Sequence, residues 1–103
     1  MVHIKLFENF KSDEFEFKWG SIIYYGGTKN GFFYAFPKSM KEFDNSRMTP
    51  TFFKDGIRNF FYNKGLNVIP ADDSESPSNI PGFVFKCKKG SFEIIKKYLL
   101  EKD

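Results

Sequence analysis

Cys87 and His3 are the only cysteine and the only histidine in this chain of 103 residues. A thiol nucleophile needs a base within reach, and these two meet only if the first and last strands are neighbours. Cys87, however, alternates in phase with Phe83 and Phe85. That places it on the apolar side of a strand, where an unpaired cysteine behaves as a small inert hydrophobe. One cysteine also excludes an intrachain disulfide scaffold and a Cys-ligated zinc module. One histidine excludes a multi-histidine metal centre.

The carboxylates offer two further starting points. Glu14 and Glu16 project from the same face of one strand, and neighbouring carboxylates are how hydrolases make an acid and a base. Their alternation with Phe15, Phe17 and Trp19 instead marks them as the solvated side of a half-buried strand. Asp72, Asp73 and Glu75 have the oxygen donors for a hard cation, but not the fixed ligand spacing of an EF-hand loop. The glycine-rich stretch from Gly26 to Gly31 lacks the phosphate-loop pattern, because Lys29 is followed by Asn30-Gly31 and a strand rather than by Ser or Thr and a helix. No spacing demands catalysis, so the expectation is a non-enzymatic protein with no cofactor and no metal ligands.

The elements that position these residues are legible from periodicity. Residues 14–19 alternate strictly, the signature of a half-buried antiparallel strand; Val2, Ile4 and Leu6 alternate more weakly upstream. Residues 21–25 and 32–36 are each apolar on both faces, as in central strands, and the segment from Gly26 to Gly31 reads as their hairpin connection. The hairpin register stays open between a tight Asn30-Gly31 turn and a four-residue loop over Gly27 to Asn30.

Ser39 and Glu42 have capping-box spacing, which predicts a short helix to about Asp44. Thr49 caps a second helix with Pro50 at its first position and Gly65 at its close. Its apolar stripe is Phe53, Ile57, Phe60 and Phe61, with Lys64 as a basic edge. Gly56 interrupts it, and close packing is one reason a helix keeps a glycine. Residues 66–69 form a short strand ended by Pro70. Residues 71–81 read as a polar, acidic, mobile loop. Residues 83–87 resume strand alternation, and Ser91 caps a last helix carrying Phe92, Ile95 and Leu99. The chain thus reads as a single domain over residues 1–103: α+β, with a mostly antiparallel sheet of five to six strands and two to three helices packed on one face.

Three short helices cover one face of such a sheet. The uncovered face then shows some of Tyr24, Tyr25, Phe33 and Tyr34, and aromatics on a sheet face are interface anchors. The opposing expectation is that other segments fold over that face. The first functional expectation is a small binding protein that docks on a larger, unidentified protein through the aromatic face and modulates or inhibits it. A homodimer through the same face is another occupant the sequence allows. The second expectation is a single-stranded RNA- or DNA-binding module. The segments starting at Gly31 and Gly82 faintly echo the aromatic strand on which bases stack, and Lys86, Lys88, Lys89, Lys96 and Lys97 would neutralise phosphates. With only two arginines, specific readout of guanine has little material.

Composition sets the outer bounds. The formal net charge is +3 and 20% of residues are aromatic, which excludes intrinsic disorder but does not by itself announce a nucleic-acid protein. The longest apolar run, Phe32 to Phe36, is far short of the roughly 18 residues of a membrane helix. Charges interrupt every apolar run near Met1, so no signal-peptide core is seen, and the expected setting is cytoplasmic. Fourteen lysines against two arginines and two alanines follow A/T-rich codons, as in an A/T-rich bacterium or a phage.

Overall fold

The computed structural model describes residues 14–72, 74, 80, 82–88 and 90–102. Its strands are β1 (Phe15–Trp19), β2 (Ile22–Lys29), β3 (Phe32–Pro37), β4 (Val68–Pro70) and β5 (Phe83–Cys87). The helices are α1 (Met40–Asn45), α2 (Pro50–Tyr62) and α3 (Phe92–Glu101). All strand pairs are antiparallel, in the order β1-β2-β3-β5-β4. The expected α+β architecture is what the chain forms. The strand expected over residues 2–7 and His3 lie outside the described residues.

Two tight turns fix the sheet. Gly20 and Ser21 join β1 to β2, pairing Trp19 with Ile22, and the positive φ of 67° at Gly20 suits a residue without a Cβ. Asn30 (φ 55°) and Gly31 (φ 85°) join β2 to β3, as the two-residue type I′ turn requires. The open register thereby resolves to the tight turn, with Lys29 opposite Phe32. Gly26 and Gly27 therefore lie inside β2 and not in a loop. Their bare backbone makes room for rings: a Cβ on Gly26 would lie 3.0 Å from the Phe15 ring, and one on Gly27 would lie 2.7 Å from the Tyr34 hydroxyl.

The caps on the first two helices form as expected. Ser39 Oγ accepts from the Glu42 amide at 3.2 Å, and Thr49 Oγ1 accepts from that of Phe52 at 3.1 Å. Each side chain satisfies an amide that the helix leaves unpaired. Ser91 differs. Its backbone (φ −83°, ψ −6°) is already helical and its hydroxyl makes no capping bond; a capping side chain needs an extended backbone to reach the amide. Gly56 has the close neighbour that its position suggested, because a Cβ there would lie 3.2 Å from Trp19 Cζ2.

The main core lies between the sheet and the helices. Phe17, Ile22, Tyr24, Phe33 and Phe85 of the sheet pack with Phe43 of α1, Phe53, Ile57 and Phe61 of α2, and Ile95 and Leu99 of α3. Tyr24 sits between two nearly parallel rings, 5.5 Å from Phe17 and 4.5 Å from Phe53 between centroids. Burying each such ring stabilises the fold by roughly 1.5–3 kcal/mol before entropy is counted. A smaller cluster of Tyr34, Ile80 and Val84, flanked by Phe32, Phe36 and Ala71, forms on the other side of the sheet. Among the described residues, no helix is long and apolar enough to cross a membrane.

Among the described residues, the outer strands are β1 and β4. At β1 the Lys18 carbonyl accepts a hydrogen bond from Lys102 Nζ at 3.1 Å, and that ammonium lies 5.0 Å from the Trp19 ring centroid. Strand β4 ends in Pro70, which an outer strand tolerates because it has no amide hydrogen to contribute.

Candidate binding surface on the helix-free face

Alternation assigns each aromatic residue of β2 and β3 to one face. Phe17 pairs with Tyr24, and Thr28 pairs with Phe33, so Tyr24 and Phe33 point toward the helices. Both are 0% exposed. The expectation that these two residues contribute to an exposed interface is therefore corrected: they are core residues. Tyr25 and Tyr34 belong to the opposite face. Tyr25 is half-buried, whereas Tyr34 is buried beside Ile80 and Val84, so the expectation of an exposed Tyr34 is corrected as well.

Two aromatics not singled out as site residues complete that face. Tyr25 pairs with Phe36 across the strands, their centroids 5.4 Å apart, and Phe36 lies 6.1 Å from Tyr34 in a nearly parallel arrangement. Phe32 follows on the same strand face, flanked in register by Lys29 on β2 and Lys86 on β5. Tyr25, Phe36 and Phe32 are half-buried, while Lys18, Lys29 and Lys86 are exposed. The surface is an aromatic row with exposed lysines at its bordering register positions. The opposing expectation is met in part, since Ile80 and Ala71 pack against Tyr34 and its neighbours.

The two glutamates take different roles on this face. Glu16 forms an ion pair with Lys38 at 3.6 Å, with both side chains about half exposed. Solvent screens such a pair, and its contribution is small. Glu14 is half-buried and its Oε2 accepts a hydrogen bond from the Tyr34 hydroxyl. Its Oε1 is buried with no partner among the described residues. The pair fits because Gly27 has no side chain. Glu14 is thus bonded to a phenol, and Glu16 is paired with an ammonium.

The lysines do not gather into one patch. Lys86 lies on the helix-free face, while Lys96 is on α3 in the opposite layer, 5.9 Å from the Phe15 ring centroid. Lys97 is exposed on α3 and Lys88 is exposed just after β5. Lys89 lies outside the described residues, as do Asp73 and Glu75. Cys87 is half-buried against the main core, and burial pushes its thiol above the ordinary cysteine range, with a backbone hydrogen bond at Phe33 opposing this. That is the environment of an inert thiol. Among the described residues, no group of three or more His, Cys, Asp or Glu side chains is placed to hold a metal ion. No family model, no curated protein and no solved structure matches this chain.

Proposed function

We propose that this chain is a non-enzymatic binding domain that docks on a larger protein through the helix-free face of its sheet and occludes a surface there. The observation that carries this reading is the half-buried pair Tyr25–Phe36, continued by half-buried Phe32 and backed by buried Tyr34, on the side where no helix lies among the described residues. Rigid rings on a sheet lose little side-chain entropy on docking and bury large apolar area, which is how interface anchors work. Exposed Lys18, Lys29 and Lys86 around the row would steer an acidic partner and set its orientation.

A photoreactive benzoylphenylalanine at Phe36, compared with one at Phe52 on α2, tests this in cells that make the protein. Phe52 is 69% exposed, so accessibility favours the control position. One discrete protein adduct from position 36, lost on Tyr25→Ala and absent at position 52, is the expected result. Equal labelling at both positions, or none at 36, would sink the proposal. An adduct of twice the chain mass would replace the larger partner with a second copy.

A second reading is supported by the Lys29–Phe32–Lys86 row, which sets an aromatic residue between two exposed lysines in register. Stacking platforms for single-stranded nucleic acid combine these same features. Anisotropy of labelled single-stranded RNA and DNA at low and high salt decides it. Micromolar affinity that falls steeply with salt would favour this reading over the first.

A further inference from the structure

A cleft of about 250 Å³ opens at one end of the sheet, between the β2–β3 turn and the connection from β5 to α3. Lys29 lines it from the turn and Lys88 from the connection, with Thr28 and Asn30 as neutral polar groups and Cys87 and Phe92 as the less polar wall. No carboxylate is among the described residues that line it; Glu93, the nearest acid in sequence to Phe92, is exposed on α3. The Cys87 thiol is pushed upward by burial, so it brings no negative charge to the cleft near neutral pH.

Two lysines from separate chain segments therefore line a concavity with no carboxylate among its described lining residues. An anion entering it gains attraction to both, and water screens less in a recess than over a flat surface. The volume suits a small anion and is below the 300–1,000 Å³ or so of pockets that enclose drug-sized ligands. A phosphate monoester brings nearly two negative charges in neutral solution and three acceptor oxygens. Lysine binds phosphate as a point charge.

We propose that the cleft between Lys29 and Lys88 binds the phosphate group of a small phosphomonoester. The cleft shares Lys29 with the border of the helix-free face but uses none of its aromatic row. The test titrates ¹⁵N-labelled protein with inorganic phosphate and, separately, methyl phosphate, with sodium chloride at matched ionic strength as the control. Saturable shifts of the Gly31 and Gly90 amides in the millimolar range are expected with both phosphates. Removing two solvent-screened charges in Lys29→Met/Lys88→Met should weaken binding by about tenfold, while Lys97→Met leaves it unchanged. All three lysines are exposed, so the variants keep the fold. Shifts that do not saturate, that chloride reproduces, or that survive the double substitution would overturn the proposal. Binding of inorganic phosphate without methyl phosphate would overturn the monoester assignment.

Discussion

Replacing Gly27 with alanine tests how the helix-free face is built. The added Cβ would lie 2.7 Å from Tyr34 Oη, 2.9 Å from its Cζ and 3.3 Å from Glu14 Cγ. Carbon contacts are comfortable near roughly 3.5–4.0 Å, so the end of the Tyr34 ring must retreat by nearly an ångström. It cannot do so and keep its bond to Glu14. Losing a hydrogen bond to a carboxylate costs about 1.5–3 kcal/mol, and Glu14 would then have both oxygens without a partner. Alanine returns about 0.5–1 kcal/mol, because glycine loses more backbone freedom on folding. The expected net loss is about 1–2 kcal/mol, or roughly 5–15 °C in Tm for a domain of this size. Urea unfolding followed by Trp19 fluorescence measures it. In a Tyr34→Leu background the obstructing ring is gone, and Gly27→Ala should then stabilise by about 0.5–1 kcal/mol. The coupling between the two sites is thus about 1.5–3 kcal/mol, with a change of sign. An equal cost of Gly27→Ala in both backgrounds would refute the reasoning.

Further outcomes follow at Tyr24 and at Gly82. Tyr24 is fully buried and its hydroxyl has no partner among the described residues, so Tyr24→Phe should raise stability by about 1 kcal/mol in denaturant unfolding. Burial also pushes the Tyr24 phenol up to about 12. The folded state holds the proton more tightly than the unfolded chain, where tyrosine titrates near 10, so this contribution is complete below about pH 10. It is lost as pH rises from about 10 to 12, by roughly 2–3 kcal/mol, and the phenylalanine variant should not show that part of the alkaline fall. Gly82 has φ 76°, and a Cβ there would collide with the Ala35 carbonyl oxygen and lie 2.6 Å from Phe36 Cβ. Gly82→Ala should therefore cost more than about 2 kcal/mol, and a Tm within a degree or two of the parent would contradict it.

Much of the architecture is readable in the residues because local and tertiary preferences agree. Glu14 to Trp19 alternate cleanly, and Ser39 and Thr49 sit where a helix start lacks acceptors. The faces of β2 and β3 were not legible from periodicity. Ile22 to Tyr25 and Phe32 to Phe36 are apolar in every position, so alternation carries no phase. The missing signal was Gly20-Ser21. A two-residue turn there pairs Trp19 with Ile22, which puts Tyr24 in phase with Phe17 and sends Tyr25 to the other side. Gly26 and Gly27 misled for a related reason: next to Thr28 and Asn30 they resemble turn residues, whereas they are strand positions hollowed out for Phe15 and Tyr34. The convergence of Lys29 with Lys88 joins positions far apart in the chain, and only the β3–β5 pairing brings them near.

The blunted rims of the sheet bear on how this chain survives its own composition. A fifth of its residues are aromatic, and strands of this kind extend readily into stacks when their outer backbone groups are offered to a neighbour. Here the Lys18 carbonyl on one rim is already taken by Lys102, and Pro70 on the other has no amide hydrogen to give. Each rim also presents an obstacle to register, a lysine folded across the strand or a proline ring. Among the described residues, ladder extension into cross-β aggregates is thereby disfavoured at both ends.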